Sequence, residues 1–277
     1  MNRKELIQQI KLKQSYLCVG LDTDINKIPA HLQTEEDAVL KFNKAIIDAT
    51  KEYCIAYKIN TAFYETLGVK GWEILEKTLA YIPSSHFKIA DAKRGDIGNT
   101  SAQYAKTFFE TFAFDAVTVA PYMGEDSIRP FLDYTNKFTI VLGLTSNKGA
   151  NDFECLKTSD DKFLYEKVIG KIAGWSTAEN LMFVVGATQA NQLQSIRKII
   201  PDNFLLIPGI GAQGGSLEDV SEYGMNKYCG LIVNVGRAVI YASSDENFAA
   251  AAAVVAQNYQ TEMQVYLMNN LNSVINF

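Results

Sequence analysis

The chain reads as a single-domain α/β protein, a (β/α)8 TIM barrel. Three observations carry that expectation. Eight short, nearly continuous apolar runs alternate with helix-like segments along the sequence. Continuous rather than alternating hydrophobicity marks strands buried on both faces, as in a parallel sheet covered by helices. Eight such units in 277 residues match the size of one closed barrel. A doubly wound sheet is the competing architecture, but no Gly-x-Gly-x-x-Gly turn follows the first strand.

In chain order, residues 2–13 read as a short helix leading into strand 16–21, which ends at Asp22. Residues 35–52 follow as a helix with apolar Ala38, Phe42, Ala45, Ile46 and Ala49. The second strand, 54–57, ends at Lys58 and Asn60, and a helix is expected over 68–81. Phe87-Lys88-Ile89-Ala90 is the third strand, ending at Asp91, with a helix over 97–112. Strand 116–119 ends in Ala120-Pro121-Tyr122, helix 126–134 follows, and strand 138–144 ends in Thr145-Ser146-Asn147. A looser stretch, 148–160, has the look of an insertion on the active face and precedes a helix at 161–178. Strand 181–185, helix 189–200 and strand 204–207 lead to the glycine-rich run PGIGAQGG. The last strand, 231–235, ends in Gly236-Arg237, and an alanine-rich helix spans 245–270. No linker, repeat or charge block divides residues 1–277, so one domain is expected.

Composition narrows the function. The chain is 48% hydrophobic and 21% charged, with a net charge of −5, which gives no electrostatic case for binding nucleic acid. The N-terminal MNRKELIQQIKLKQ has no apolar signal core and no run reaches the length of a membrane span, so a cytoplasmic protein is expected. Cys18, Cys54, Cys155 and Cys229 lie far apart, and three sit in apolar runs, as buried reduced thiols do. His31 and His86 share no motif, so neither a metal site nor a cofactor is expected.

In such a barrel, functional groups gather at the C-terminal ends of the strands. Asp22, Lys58, Asn60, Asp91, Lys93, Ser146, Gln213 and Arg237 all fall there. A lone Asp or Lys after a strand is commonly a turn residue or a solvated one, and it is the concentration on one face that points to a site. The last two strand ends point to phosphate. PGIGAQGG offers small residues whose backbone amides can approach an anion, while Gly236-Arg237 adds another amide and a guanidinium suited to bidentate phosphate binding. Barrels frequently hold phosphate at this place.

The central stretch is FKIADAKRGDIGNT, residues 87–100. Asp91 and Lys93 are two apart and on extended chain share a face. With Asp96 they set two carboxylates about one ammonium, which favours the charged lysine. Such a cluster can hold phosphate or metal, place a proton or repel a negative substrate group. A solvated strand end with Asp96 as a helix cap is the bland alternative.

Asp91, Lys93, Asp96, Ile97 and Thr100, spaced Asp-x-Lys-x-x-Asp-Ile-x-x-Thr, resemble the catalytic signature of the orotidine 5'-phosphate decarboxylases, and the longer helices and 145–180 region resemble their long bacterial type. The wider superfamily shares Asp-x-Lys-x-x-Asp, and the Ile and Thr are more specific. The resemblance extends over about 17–241. It implies a cofactor-free lyase that converts orotidine 5'-phosphate (OMP) to UMP, with Asp91, Lys93 and Asp96 catalytic. It further implies that Asp22 and Lys58 bind the ribose and orient the lysine, that Ser146 reads the pyrimidine, and that Gln213, Gly236 and Arg237 clamp the phosphate. Asp96, Ile97 and Thr100 are implied to enter a partner subunit's site, making an obligate homodimer with shared active sites. The rival within the superfamily is a magnesium-dependent sugar-phosphate lyase, which would carry an acidic residue in place of Lys58 and Ala-Gly in place of Ile97-Gly98. A non-catalytic nucleotide-binding barrel is the rival from another class.

Overall fold

The computed structural model of the chain describes residues 1–211 and 214–275. Its strands are β1 (Leu17–Gly20), β2 (Ala56–Asn60), β3 (Phe87–Arg94), β4 (Ala116–Val119), β5 (Phe138–Leu144), β6 (Leu181–Val185), β7 (Leu205–Pro208) and β8 (Leu231–Val235). They pair in parallel in chain order, and β8 closes onto β1 through Leu17↔Val233 and Val19↔Val235. The closed barrel is the one the alternating pattern predicts. Burial explains the pattern, because β1, β4, β6 and β8 are buried at every position, facing side chains within and helices without.

The helices are α1 (Arg3–Lys13), α2 (Ala30–Gln33), α3 (Ala38–Thr50), α4 (Ala62–Glu65), α5 (Gly68–Tyr81), α6 (Gly98–Lys106), α7 (Glu125–Leu132), α8 (Leu164–Ala173), α9 (Ala190–Ile199), α10 (Leu217–Gly224), α11 (Arg237–Ile240) and α12 (Phe248–Ile275). In α3 the side chains of Val39, Phe42, Ile46 and Ile47 form one apolar stripe and are buried. Along α12, Phe248, Ala252, Ala256, Met263 and Leu267 are buried, and the small alanines let the helix lie close to α3 and α11. Among the described residues no helix is long and apolar enough to cross a membrane.

One expectation needs correction. The helix expected over 97–112 is α6 followed by a π-helical turn, Thr107–Thr111. The wider turn lets two consecutive rings face inward. Phe108 packs on Phe114 at 6.1 Å between centroids, and Phe109 on Tyr134 at 5.1 Å. α10 lies between PGIGAQGG and β8, where the sequence sets no helix bounds. Ser216 caps it by accepting the Asp219 N–H at 3.1 Å.

Candidate active site

The C-terminal strand ends surround a cavity of about 440 Å³. Of the residues expected there, Asp22, Lys58, Asn60, Asp91, Lys93, Ser146, Gly236 and Arg237 line it. Asp22 follows β1 in a turn held from beneath. Buried Asn43 on α3 accepts from Thr23 Oγ1 (2.6 Å) and donates to the Tyr64 hydroxyl (2.9 Å), which donates in turn to the Leu21 carbonyl (3.0 Å). On the other side the Tyr241 hydroxyl donates to the Asp22 carbonyl at 3.2 Å. A polar network satisfied in this way fixes its members rigidly.

Lys58, near the end of β2, is only 3% exposed. Its ammonium donates to Asp22 Oδ1 at 3.1 Å and to Asp91 Oδ2 at 2.9 Å. Asp91 Oδ1 accepts from Lys93 Nζ at 2.5 Å and from Thr118 Oγ1 at 3.1 Å. Asp22, Lys58, Asp91 and Lys93 thus form a row of alternating charge across the ends of β1, β2 and β3. Burial pushes the Asp91 carboxyl up, but Lys58 and Lys93 outweigh it and hold the group well below the usual carboxylate range. Burial works against the Lys58 ammonium, and Asp91 and Asp22 overcome it, raising its pKa above the ordinary lysine value. Both groups are therefore charged throughout the physiological range.

Asp91 and Lys93 meet as expected, yet not on a regular extended strand. β3 runs on through both to Arg94, and its pairing with β4 slips from Ala90↔Val117 to Arg94↔Val119. Four residue steps on β3 (90 to 94) thus face two on β4 (117 to 119), a local bulge. Lys93 sits in it with φ of +46°, in the left-handed region that costs a non-glycine residue about 1–3 kcal/mol. Thr118 holds the bulge: its hydroxyl accepts the Lys93 backbone N–H at 2.9 Å while donating to Asp91. The Lys93 side chain, half exposed, consequently projects into the cavity.

Asp96 is placed otherwise. Among the described residues Asp91 is the one carboxylate paired with Lys93, and Asp96 Oδ1 instead accepts its neighbour's N–H, that of Ile97, at 2.8 Å. The idea of two carboxylates around one ammonium within a single chain is corrected accordingly. Ile97 is 57% exposed and Thr100 is exposed, and neither lines the cavity, nor does Asp96.

At the far wall, Gly209 and Ile210 after β7 and Gly236 and Arg237 after β8 line the cavity. Gly209 has φ of +103°, and a Cβ on Gly215 would stand 2.4 Å from Ala187 Cβ, so this turn depends on glycine. The Arg237 guanidinium is exposed and makes no ion pair with any described carboxylate. Gln213 lies outside the described residues. Ser146 packs against Gly186 after β6, where a Cβ would come within 2.7 Å of Ser146 Cβ.

The cavity therefore offers cations on two walls and a buried carboxylate between lysines. A family model agrees: that of the orotidine 5'-phosphate decarboxylase / HUMPS family matches residues 15–253. The chain belongs to this family. Among similar proteins, the orotidine 5'-phosphate decarboxylase of Phocaeicola vulgatus is 60% identical over 267 residues, 95% of this chain and 98% of that one. The solved OMP decarboxylase of Leishmania donovani is 35% identical with a TM-score of 0.81, the match covering 96% of this chain and 99% of that one. A solved Leishmania donovani UMP synthase matches at 36% identity and a TM-score of 0.81, but this chain spans only 57% of it.

Three polar cavity residues of this family member, Lys27, Thr118 and Asn234, lie outside the sequence-based expectations. Thr118 was visible as the one hydroxyl in the run AVTV, and Asn234 as the one amide in LIVNV. Asn234 is 8% exposed, and its Oδ1 has no hydrogen-bond partner among the described residues, an unusual state for a buried acceptor. Thr118 and Asn234 read as strand residues because their neighbours are apolar.

Proposed function

We propose that this chain decarboxylates OMP to UMP and CO2, the last step of de novo UMP biosynthesis. The observation that carries the reading is the Asp22–Lys58–Asp91–Lys93 row facing a cavity whose other wall holds Arg237. Arg237, with Gly236 and Gln213, takes the phosphate. Asp22 and Lys58 hold the ribose, and Ser146 meets the pyrimidine. When the bond from C6 to the carboxylate breaks, CO2 leaves and the electron pair stays on C6. The Lys93 ammonium stabilises that carbanion by its charge and then gives it a proton, yielding UMP and a neutral lysine that regains a proton from water. Asp91 disfavours the bound substrate carboxylate, a repulsion relieved as CO2 departs. Binding energy from the remote phosphate serves to seat the reacting base.

The chain requires no metal in this reading. Lys58 stands between Asp22 and Asp91, where a metal-using lyase needs carboxylates free to coordinate. Turnover of OMP, followed by its absorbance, is expected to survive exhaustive EDTA treatment. Loss of activity restored by magnesium would instead favour a sugar-phosphate lyase.

The working form is a homodimer with shared sites, and residues 1–277 act as one unit in it. Asp96, Ile97 and Thr100 leave their own cavity and complete the partner's. Exposed Ile97, Tyr122 (89%) and Met123 (45%), at the ends of β3 and β4, support an apolar contact there. Free, buried Cys18, Cys54 and Cys229 suit a cytoplasmic location. Lys93→Ala and Asp96→Ala proteins should each be nearly inactive. When they are unfolded and refolded together in equal amounts, half the dimers are mixed and half of their sites carry neither lesion. Roughly a quarter of wild-type activity should then return. No recovery, with mixed dimers verified by mass spectrometry, would place Asp96 in its own chain's site.

A further inference from the structure

We infer that Glu154, carried on the excursion between β5 and α8, is a positioning residue for the pyrimidine end of the site; the inference rests on the reading above. The excursion leaves the barrel after Thr145-Ser146-Asn147, all three of which line the cavity. It makes a 3-10 turn over Lys148–Asp152 and closes through an antiparallel bridge, Lys157↔Phe163. Within it Glu154 turns back toward the barrel. Its carboxylate accepts the Thr145 backbone N–H at 2.7 Å and the Thr145 hydroxyl at 2.9 and 3.1 Å. Hydrogen bonds to an ionised acceptor are the strong kind, and two donors of one residue converge here on one carboxylate.

Glu154 is itself anchored. Its carbonyl accepts the Tyr165 N–H of α8 at 2.9 Å, and the next residue, Cys155, donates its N–H to the Ala150 carbonyl at 3.0 Å. From the opposite side, Gln189 Nε2 reaches the Thr145 carbonyl at 3.4 Å and Gly186 fits beneath Ser146. The cavity-lining tripeptide is thus pinned between β6 and the excursion, and Glu154 supplies a charged contact to it. Thr145 Oγ1 also lies 2.6 Å from Asn147 Oδ1. A hydroxyl has a single proton, and the carboxylate is the stronger acceptor. With the Asn147 amide turned over, its N–H2 donates to Oγ1, so the order imposed by Glu154 runs through Thr145 into Asn147.

The test compares two ligands that share the phosphate and ribose but differ in the base. UMP and ribose 5-phosphate are titrated by calorimetry into wild type, Glu154→Ala and Glu154→Gln. Glu154→Ala should weaken UMP roughly tenfold, the scale of a lost charged hydrogen bond, and leave ribose 5-phosphate within about twofold. Glu154→Gln keeps one accepting oxygen and should fall between, which a general packing role would not produce. On OMP the same variants should raise KM more than they lower kcat. Unchanged UMP binding, or equal weakening of both ligands, overturns the inference, and the near-isosteric Glu154→Gln decides alone if the alanine protein does not fold. Failure of the wild type to bind UMP would instead overturn the parent reading, and this inference with it.

Discussion

Lys93→Ala is expected to lower kcat on OMP by at least about 10⁴-fold, because one ammonium supplies both the charge that stabilises the carbanion and the proton that quenches it. The loss should be chemical and not structural. The Lys93 side chain is half exposed, and Asp91 keeps its bonds to Lys58 and Thr118 when Lys93 is gone. UMP binding and the unfolding temperature should therefore change little. Lys93→Arg should restore charge without restoring the reaction, since a guanidinium holds its proton too tightly to act as the acid. Activity within tenfold of wild type would show that the proton comes from elsewhere. Turnover of OMP by the wild type itself separates the enzyme from a barrel that merely binds nucleotides.

The second large effect concerns the opposite wall. Arg237→Ala should weaken OMP binding by roughly 2–5 kcal/mol, the range for truncating one partner of a charged, hydrogen-bonded pair. Because the guanidinium has no carboxylate partner among the described residues, little folding energy goes with it. Turnover of orotidine, which lacks the phosphate, should be almost unaffected. Equal losses for OMP and orotidine would mean that Arg237 serves the fold and not the phosphate.

What could be read from the sequence follows the physics of each element. β5, β6 and β8 appear at 138–144, 181–185 and 231–235, the spans their apolar runs indicate, because a strand buried on both faces has no other composition available. α5 likewise spans 68–81 as its apolar spacing indicates. β3 is longer than expected. The apolar run stops at Ala90, but hydrogen bonding to β4 carries the strand through charged residues to Arg94, and no local pattern encodes a slipped register. Asp91 and Lys93 announce themselves by charge, whereas Thr118, which holds the bulge between them, looks like an ordinary β-branched strand residue. Glu154 is the extreme case. It lies in an irregular stretch with no periodicity, and its partner Thr145 is brought to it only by the way the excursion folds back.

In the proposed reaction this chain breaks the C6–carboxylate bond of OMP and delivers a solvent-derived proton to C6. The direct measurement incubates metal-stripped protein with OMP in D2O and follows substrate and product by NMR. OMP should be converted completely to UMP carrying deuterium at C6, one deuterium per molecule, through the exchanged Lys93 ammonium. OMP left intact under conditions where the folded protein binds UMP would contradict the proposed reaction.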